Sequence, residues 1–172
     1  MEQPIIAGVA HDLGDAKVTV IGVPDRPGTA AAIFQSVADA DVNMDMIVQN
    51  VSAHGTAKTD VTFTVPRADI AKAELQLRKS QKSIGFEDIV TDDSIAKISL
   101  VGAGMRSHPG VSAKFFKAIA DAGVNVEMIS TSEIRISVVT RADAAQKAVQ
   151  AVHTAFGLDS DDQAIVYGGT GR

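Results

Sequence analysis

Two runs in this chain set a Pro-Gly pair beside groups that can handle charge. The first is Asp25-Arg26-Pro27-Gly28-Thr29-Ala30. The second is Gly102-Ala103-Gly104-Met105-Arg106-Ser107-His108-Pro109-Gly110-Val111-Ser112. Each follows a β-branched run and precedes a segment with helical spacing, so each reads as a turn between a strand and a helix. The first turn of a helix leaves backbone N–H groups without intrahelical partners. Together with the positive end of the helix dipole they suit a carboxylate. Gly28 allows close approach of a ligand to the backbone, and Asp25 can take an ammonium group. An α-amino acid carries this pair of charges. The same residues also make an ordinary β–α turn, with Asp25 and Pro27 as turn formers. The glycines of the second run suggest a phosphate loop, but no Lys-Ser/Thr follows them. His108 fits a hydrogen-bonded loop histidine as well as a ligand contact.

Further polar positions recur in pairs. Asn43 and Asp45 stand where Asn125 and Glu127 stand in the second half, and Gln49-Asn50-Val51-Ser52 answers Thr131-Ser132-Glu133. An asparagine amide offers two donors and one acceptor, which suits an α-amino acid; the same residue types also serve as plain turn formers or as a solvated sheet edge. No enzyme constellation appears. The four histidines, His11, His54, His108 and His153, lack metal-ligand spacing, and there is no cysteine. Nucleophile, Walker and Rossmann motifs are missing. The strands lack the aromatic pairs that stack RNA bases. A net charge of −5 argues against binding to a phosphate backbone.

These residues need a frame, and the sequence repeats one. Pro4–Asp12 reads as a strand or extended lead-in. Lys17–Val23 reads as a strand with Val18 and Val20 on one face and Thr19, Ile21 and Val23 on the other. A helix follows over Thr29–Ala40 with Ala30, Ile33, Phe34 and Val37 as its apolar stripe. Strands are expected over Val42–Val51 and Thr59–Val65, a helix over Ile70–Lys82 with Ala73, Leu75 and Leu77 available for burial, and a strand over Phe86–Thr91. The order then restarts: a strand over Ile98–Val101, a helix over Val111–Ala122, strands over Val124–Ile129 and Ile134–Thr140, a helix over Ala142–Phe156, and a strand over Gln163–Tyr167. Ala38–Ile47 lies over Ala120–Ile129, Pro27-Gly28 over Pro109-Gly110, and Arg67-Ala68-Asp69 over Arg141-Ala142-Asp143. The repeated unit is the ferredoxin-like βαββαβ module, an α+β class with a four-stranded antiparallel sheet and both helices on one face. The uncovered faces predict that two units pack on each other, within a chain or across a dimer. Residues 1–14 form an N-terminal extension that could add an edge strand to either sheet, 15–94 the first unit and 95–172 the second.

At 172 residues and 45% hydrophobic, the chain suits one or two globular domains. Aromatics are only 4%, so the core must be aliphatic. The N-terminus lacks the basic and apolar regions of a signal peptide, and no apolar run reaches the length of a membrane span. The expectation is a cytoplasmic protein that meets neither membrane nor nucleic acid.

Tandem units of this kind, each with a Pro-Gly turn opening its first helix, resemble ACT domains, which are amino-acid-binding regulatory modules. The runs Val48–Ser52, Lys97–Met105, Ser107–Val111 and Ile129-Ser130-Thr131-Ser132-Glu133-Ile134-Arg135-Ile136-Ser137 resemble the regulatory half of bacterial aspartokinases. The resemblance runs from Pro4 to Arg172. It implies a regulatory (β) subunit, or the same region cut from a longer chain, without the kinase domain that binds ATP and aspartate. It implies no cofactor in this chain, a homodimer through ACT pairing, and assembly with a full-length catalytic α subunit as α2β2. It further implies feedback inhibition by threonine, with lysine, at ACT–ACT interfaces. The threonine set would be Asp25, Pro27, Gly28, Thr29, Ala30 and Gln49, facing Val124, Asn125 and Val126 of the other repeat. The lysine set would be Met105, Ser107, His108, Gly110, Val111 and Ser112, facing Asp45, with Ser52, Ser132 and Glu133 nearby. Gly123 departs from the asparagine that the resemblance leads one to expect, which removes one side-chain contact. A stand-alone amino-acid sensor that docks on another enzyme is the alternative; an enzyme in its own right rests on no motif.

Overall fold

The computed structural model describes residues 5–52, 55–159 and 165–168, the last four by their backbone. In chain order the elements are β1 (Ile5–Asp12), β2 (Asp15–Pro24), α1 (Thr29–Asp39), β3 (Asp45–Gln49), β4 (Lys58–Pro66), α2 (Ile70–Ile84), β5 (Asp88–Asp92), β6 (Ile95–Ala103), α3 (Pro109–Asp121), β7 (Met128–Thr131), β8 (Arg135–Arg141), α4 (Ala145–Ala155) and β9 (Ile165–Gly168). They form two compact units, Asp15–Asp93 and Met1–Gly14 with Ser94–Arg172. Each is a ferredoxin-like α+β fold.

The Asp15–Asp93 unit has a four-stranded antiparallel sheet in the order β3-β4-β2-β5. Alternation turns Val18, Val20, Val61, Phe63 and Val65 toward the helices, where they meet Ile33 and Val37 of α1 and Ala73 and Leu77 of α2. Phe34 meets Phe63 edge-on at 6.1 Å. Strict alternation fails at Val23, which the sequence places with Thr19 and Ile21. The β2–β4 register shifts between Val20 and Val23, and Gly22 sits at φ 66°. The extra residue of this bulge turns Val23 back into the core at 1% exposure. The expected strand over Val42–Val51 shortens to Asp45–Gln49, and within it the β3–β4 register shifts between Asp45 and Val48, where Met46 takes φ 45°. Leu75, offered for burial, is 61% exposed. It lies two positions from both Ala73 and Leu77, about 200° around the helix from each. Ser36 is buried instead of Ala30; its hydroxyl meets that of Ser80 at 2.9 Å and donates to the Gln76 carbonyl. That polar seam joins α1 to α2.

The other unit has a five-stranded sheet in the order β7-β8-β6-β1-β9. Its pairs are antiparallel except β1 with β9, which run parallel. The N-terminal strand therefore lies inside the sheet between β6 and β9, not at an edge. Val9 of β1 is fully buried beside Ile98, Leu100, Phe115, Ile119 and Val152. Helix α3 starts at Pro109, two residues before the expected Val111, with proline in the first-turn position that tolerates a missing N–H. The helix expected over Ala142–Phe156 opens as a 3-10 turn, Ala142–Ala144, before α4. Pro4 and Gln163, the expected starts of the first and last strands, lie outside the described residues. No helix among the described residues is long and apolar enough to cross a membrane.

Candidate functional site

The first Pro-Gly turn is tied to the far end of β3. Asp25 donates its backbone N–H to the Ala57 carbonyl at 2.9 Å, and its Oδ2 accepts the Ser52 N–H at 2.7 Å. The Ser52 and Thr56 hydroxyls meet at 3.0 Å, and the Thr59 hydroxyl donates to the Asn50 carbonyl at 2.8 Å. These contacts bring the segment that follows Gln49 against the turn. Gly28 takes φ 92°, and a Cβ there would meet nothing within 4 Å, so the space over the helix mouth is open. The Thr29 N–H turns back to the Arg26 carbonyl at 3.4 Å and the first helical bond runs from the Ala32 N–H to the Gly28 carbonyl, so by helix geometry the Ala30 and Ala31 N–H groups have no intrahelical partner. Asp25, Pro27 and Gln49 are exposed and Ala30 is half-buried. Thr29 is different. It is 7% exposed and its hydroxyl donates to the Arg26 carbonyl at 3.1 Å, so it braces the turn. Ser52, grouped by sequence with the second turn, is joined here to Asp25.

The second turn is anchored in the same way to the β7–β8 connection. The Gly102 N–H donates to the Ile134 carbonyl at 2.9 Å, and the Met105 N–H to the Glu133 carbonyl at 3.2 Å. A Cβ on Gly102 would lie 2.3 Å from the Ile5 carbonyl oxygen, so the close passage of β1 requires glycine. Met105 and Val111 are core residues, 3% and 6% exposed. They hold the loop from below and do not line an open site. His108 Nδ1 lies 2.8 Å from the Gly104 carbonyl. A carbonyl only accepts, so Nδ1 carries the proton. Ser107 and Gly110 are exposed and Ser112 is half-buried. Ser132 folds on itself: its N–H donates to the Arg135 carbonyl at 2.8 Å, and its Oγ accepts the Ile134 N–H. The Glu133 carboxylate faces the Arg106 guanidinium at 3.8 Å. Arg106 was not singled out by sequence, because an exposed arginine in a loop carries no periodic or motif signal.

The strand-side candidates divide between the units. Val124 is buried, Asn125 exposed and Val126 half-buried, after a left-handed Gly123 at φ 71°. Asp45 is exposed; its Oδ1 accepts the Met46 N–H at 2.8 Å and its carbonyl accepts the Thr64 hydroxyl at 3.0 Å. Val124, Asn125 and Val126 thus belong to the unit of the second turn, and Asp45 to the unit of the first. Among the described residues no group of three or more histidine, aspartate or glutamate side chains could hold a metal ion.

Residues 18–81 and 98–156 match the family model of the ACT domain, one stretch in each unit. The chain belongs to the ACT-domain family. Both ACT units carry a Pro-Gly pair where the first helix of the matched stretch begins, just ahead of α1 in one and as the first two residues of α3 in the other. Among curated relatives, the aspartokinase of Mycolicibacterium smegmatis is 55% identical over 172 residues, and that of Mycobacterium tuberculosis 57% identical over 173. The chain spans about two fifths of the length of these relatives (41%) while all of it is matched. Among solved structures, the ligand-free regulatory subunit of aspartate kinase from Thermus thermophilus superposes with a TM-score of 0.83 at 43% identity, over 88% of this chain and 99% of that one. A structure of aspartokinase alpha and beta subunits gives 0.82 at 45% identity with the same coverage. The tandem ACT pair is therefore the regulatory part of an aspartokinase.

Proposed function

We propose that this chain senses end-product amino acids, threonine together with lysine, and transmits feedback inhibition to an aspartate kinase. The observation that carries this is the Asp25–Gly28 turn. A carboxylate held by the Ser52 N–H stands at an open, glycine-started helix mouth. In this reading Asp25 takes the ammonium of threonine, and the first-turn N–H groups around Ala30 take its carboxylate. Gln49 takes a polar group of the ligand. Val124, Asn125 and Val126 of a second copy complete the pocket, so that the bound amino acid stabilises the paired state by linkage. The second turn, Met105–Ser112 with Ser132 and Glu133, takes lysine against Asp45 of the partner copy. A coupling of about 1–3 kcal/mol between effector binding and the kinase state is enough for regulation.

The assembly in this reading is a homodimer through ACT pairing that joins a catalytic α subunit as α2β2 in the cytoplasm. ATP binds only to the catalytic subunit, which transfers its phosphoryl group to the side-chain carboxylate of aspartate. Calorimetry with threonine, in the presence and absence of lysine, tests the proposal. Binding heat that falls with Asp25→Ala or Gln49→Ala, and a dimer strengthened by threonine, are expected. No heat and no change in melting or dimerisation with either amino acid would overturn it.

A further inference from the structure

The two turns hold the same place in their units, although Gly28 stands ahead of α1 at φ 92° while Pro109 and Gly110 already belong to α3, and they are opposite in where they keep their carboxylate. In the register that lays Pro27-Gly28 over Pro109-Gly110, Ser107 takes the place of Asp25, and Glu133 takes the place of Val51. The first unit carries its acid on the β–α turn, and the second carries it on the β7–β8 connection. What holds the acid also differs. Asp25 accepts a neutral backbone N–H from Ser52, whereas Glu133 faces the Arg106 guanidinium at 3.8 Å. That placement is built. The Met105 side chain is sunk in the core at 3% exposure, its N–H donates to the Glu133 carbonyl, and the Gly102 N–H donates to the Ile134 carbonyl. Arg106, next in sequence to the anchored Met105, is delivered over Glu133. Both charged side chains remain open to solvent, at 73% and 78% exposure, so the pair is weak and exchangeable.

We propose that Arg106 is a built-in competitor at the second turn. Its guanidinium occupies the Glu133 carboxylate until an amino acid with a second, side-chain ammonium displaces it. This rests on the reading of the second turn as an amino-acid site and adds how that site is tuned. A neutral amino acid has only its α-ammonium and no side-chain cation to exchange for the guanidinium, and leaves the pair in place. A diamino acid exchanges one ion pair for another, and Arg106 sets the concentration at which it does so. The first turn, held by a neutral donor, has no such threshold.

The test is calorimetric titration of the full chain with L-lysine and, separately, with L-threonine. Arg106→Gln removes the competing cation and tightens lysine about two- to fivefold, the range expected of an exposed pair. Arg106→Lys keeps a cation in place and stays near the wild-type affinity. Glu133→Gln loses lysine binding, and threonine binding is unchanged in all three. If the wild type binds lysine and Arg106→Gln leaves that affinity unchanged or weaker, this inference alone is overturned. If neither the wild type nor Arg106→Gln binds lysine, the amino-acid reading of the second turn fails and the inference fails with it.

Discussion

The backbone N–H of Ser52 donates to Oδ2 of Asp25 across 2.7 Å, linking two residues 27 positions apart. The bond closes the connection after β3 onto the mouth of α1. A serine side chain is not needed for it, since the donor is main chain.

Charge and geometry at Asp25 can therefore be separated. Asp25→Asn keeps an oxygen acceptor for the Ser52 N–H but has no charge for an ammonium. Its threonine affinity should fall about tenfold to a hundredfold, the range for losing a charge-assisted bond. Protection of the Ser52 amide from hydrogen exchange should persist. Asp25→Ala should lose both. Calorimetry and exchange on the same two variants check the pair of outcomes.

Gly28 and Gly102 predict different failures. At Gly28 the φ of 92° is the obstacle and space is free, so Gly28→Ala should cost about 1–2 kcal/mol and lower the melting temperature without disordering the fold. At Gly102 a Cβ would press on the Ile5 carbonyl at 2.3 Å. Gly102→Ala should part β1 from β6 locally, seen as faster amide exchange along β1.

Phe63 is fully buried and meets Phe34 edge-on at 6.1 Å. Phe63→Ala should destabilise by about 3–5 kcal/mol through the cavity it leaves. Leu75, at 61% exposure, should tolerate Leu75→Ala within about 0.5 kcal/mol. Chemical denaturation of both variants decides whether α2 is oriented as described.

The Asp159 carboxyl is held below its ordinary range by hydrogen bonds from Thr154 and from His153, which contacts it at 2.6 Å. A depressed carboxylate stabilises the fold at pH values above its unfolded pKa, and that contribution is lost as pH falls through the lower folded value. Asp159→Asn should remove this part of the acid sensitivity below about pH 4. Acid titration followed by circular dichroism should show a shallower loss of stability for the variant than for the wild type.

The candidate site was legible in its parts. Asp25, Gly28, Gln49 and Glu133 stand out because turns and strand ends have local signatures, and because the second half repeats the first. What joins those parts was not legible. The bonds from Ser52 to Asp25 and from Met105 to Glu133 cross between loops well separated in sequence, and no local pattern encodes a main-chain donor meeting a distant acceptor.

The sequence by itself determined the duplicated βαββαβ order, because strand and helix periods of 2 and 3.6 and the Pro-Gly breaks act over neighbouring residues. It also determined a core that is mostly aliphatic, although its largest fully buried side chains are Phe63 and Phe115. Only the tertiary structure decided that β1 slots between β6 and β9, that the Gly22 bulge returns Val23 to the core, and that Ser36 meets Ser80 in a polar helix seam. Strand edges offer the same N–H and C=O groups to any partner. Which strands pair is settled only when the whole apolar surface is buried at once.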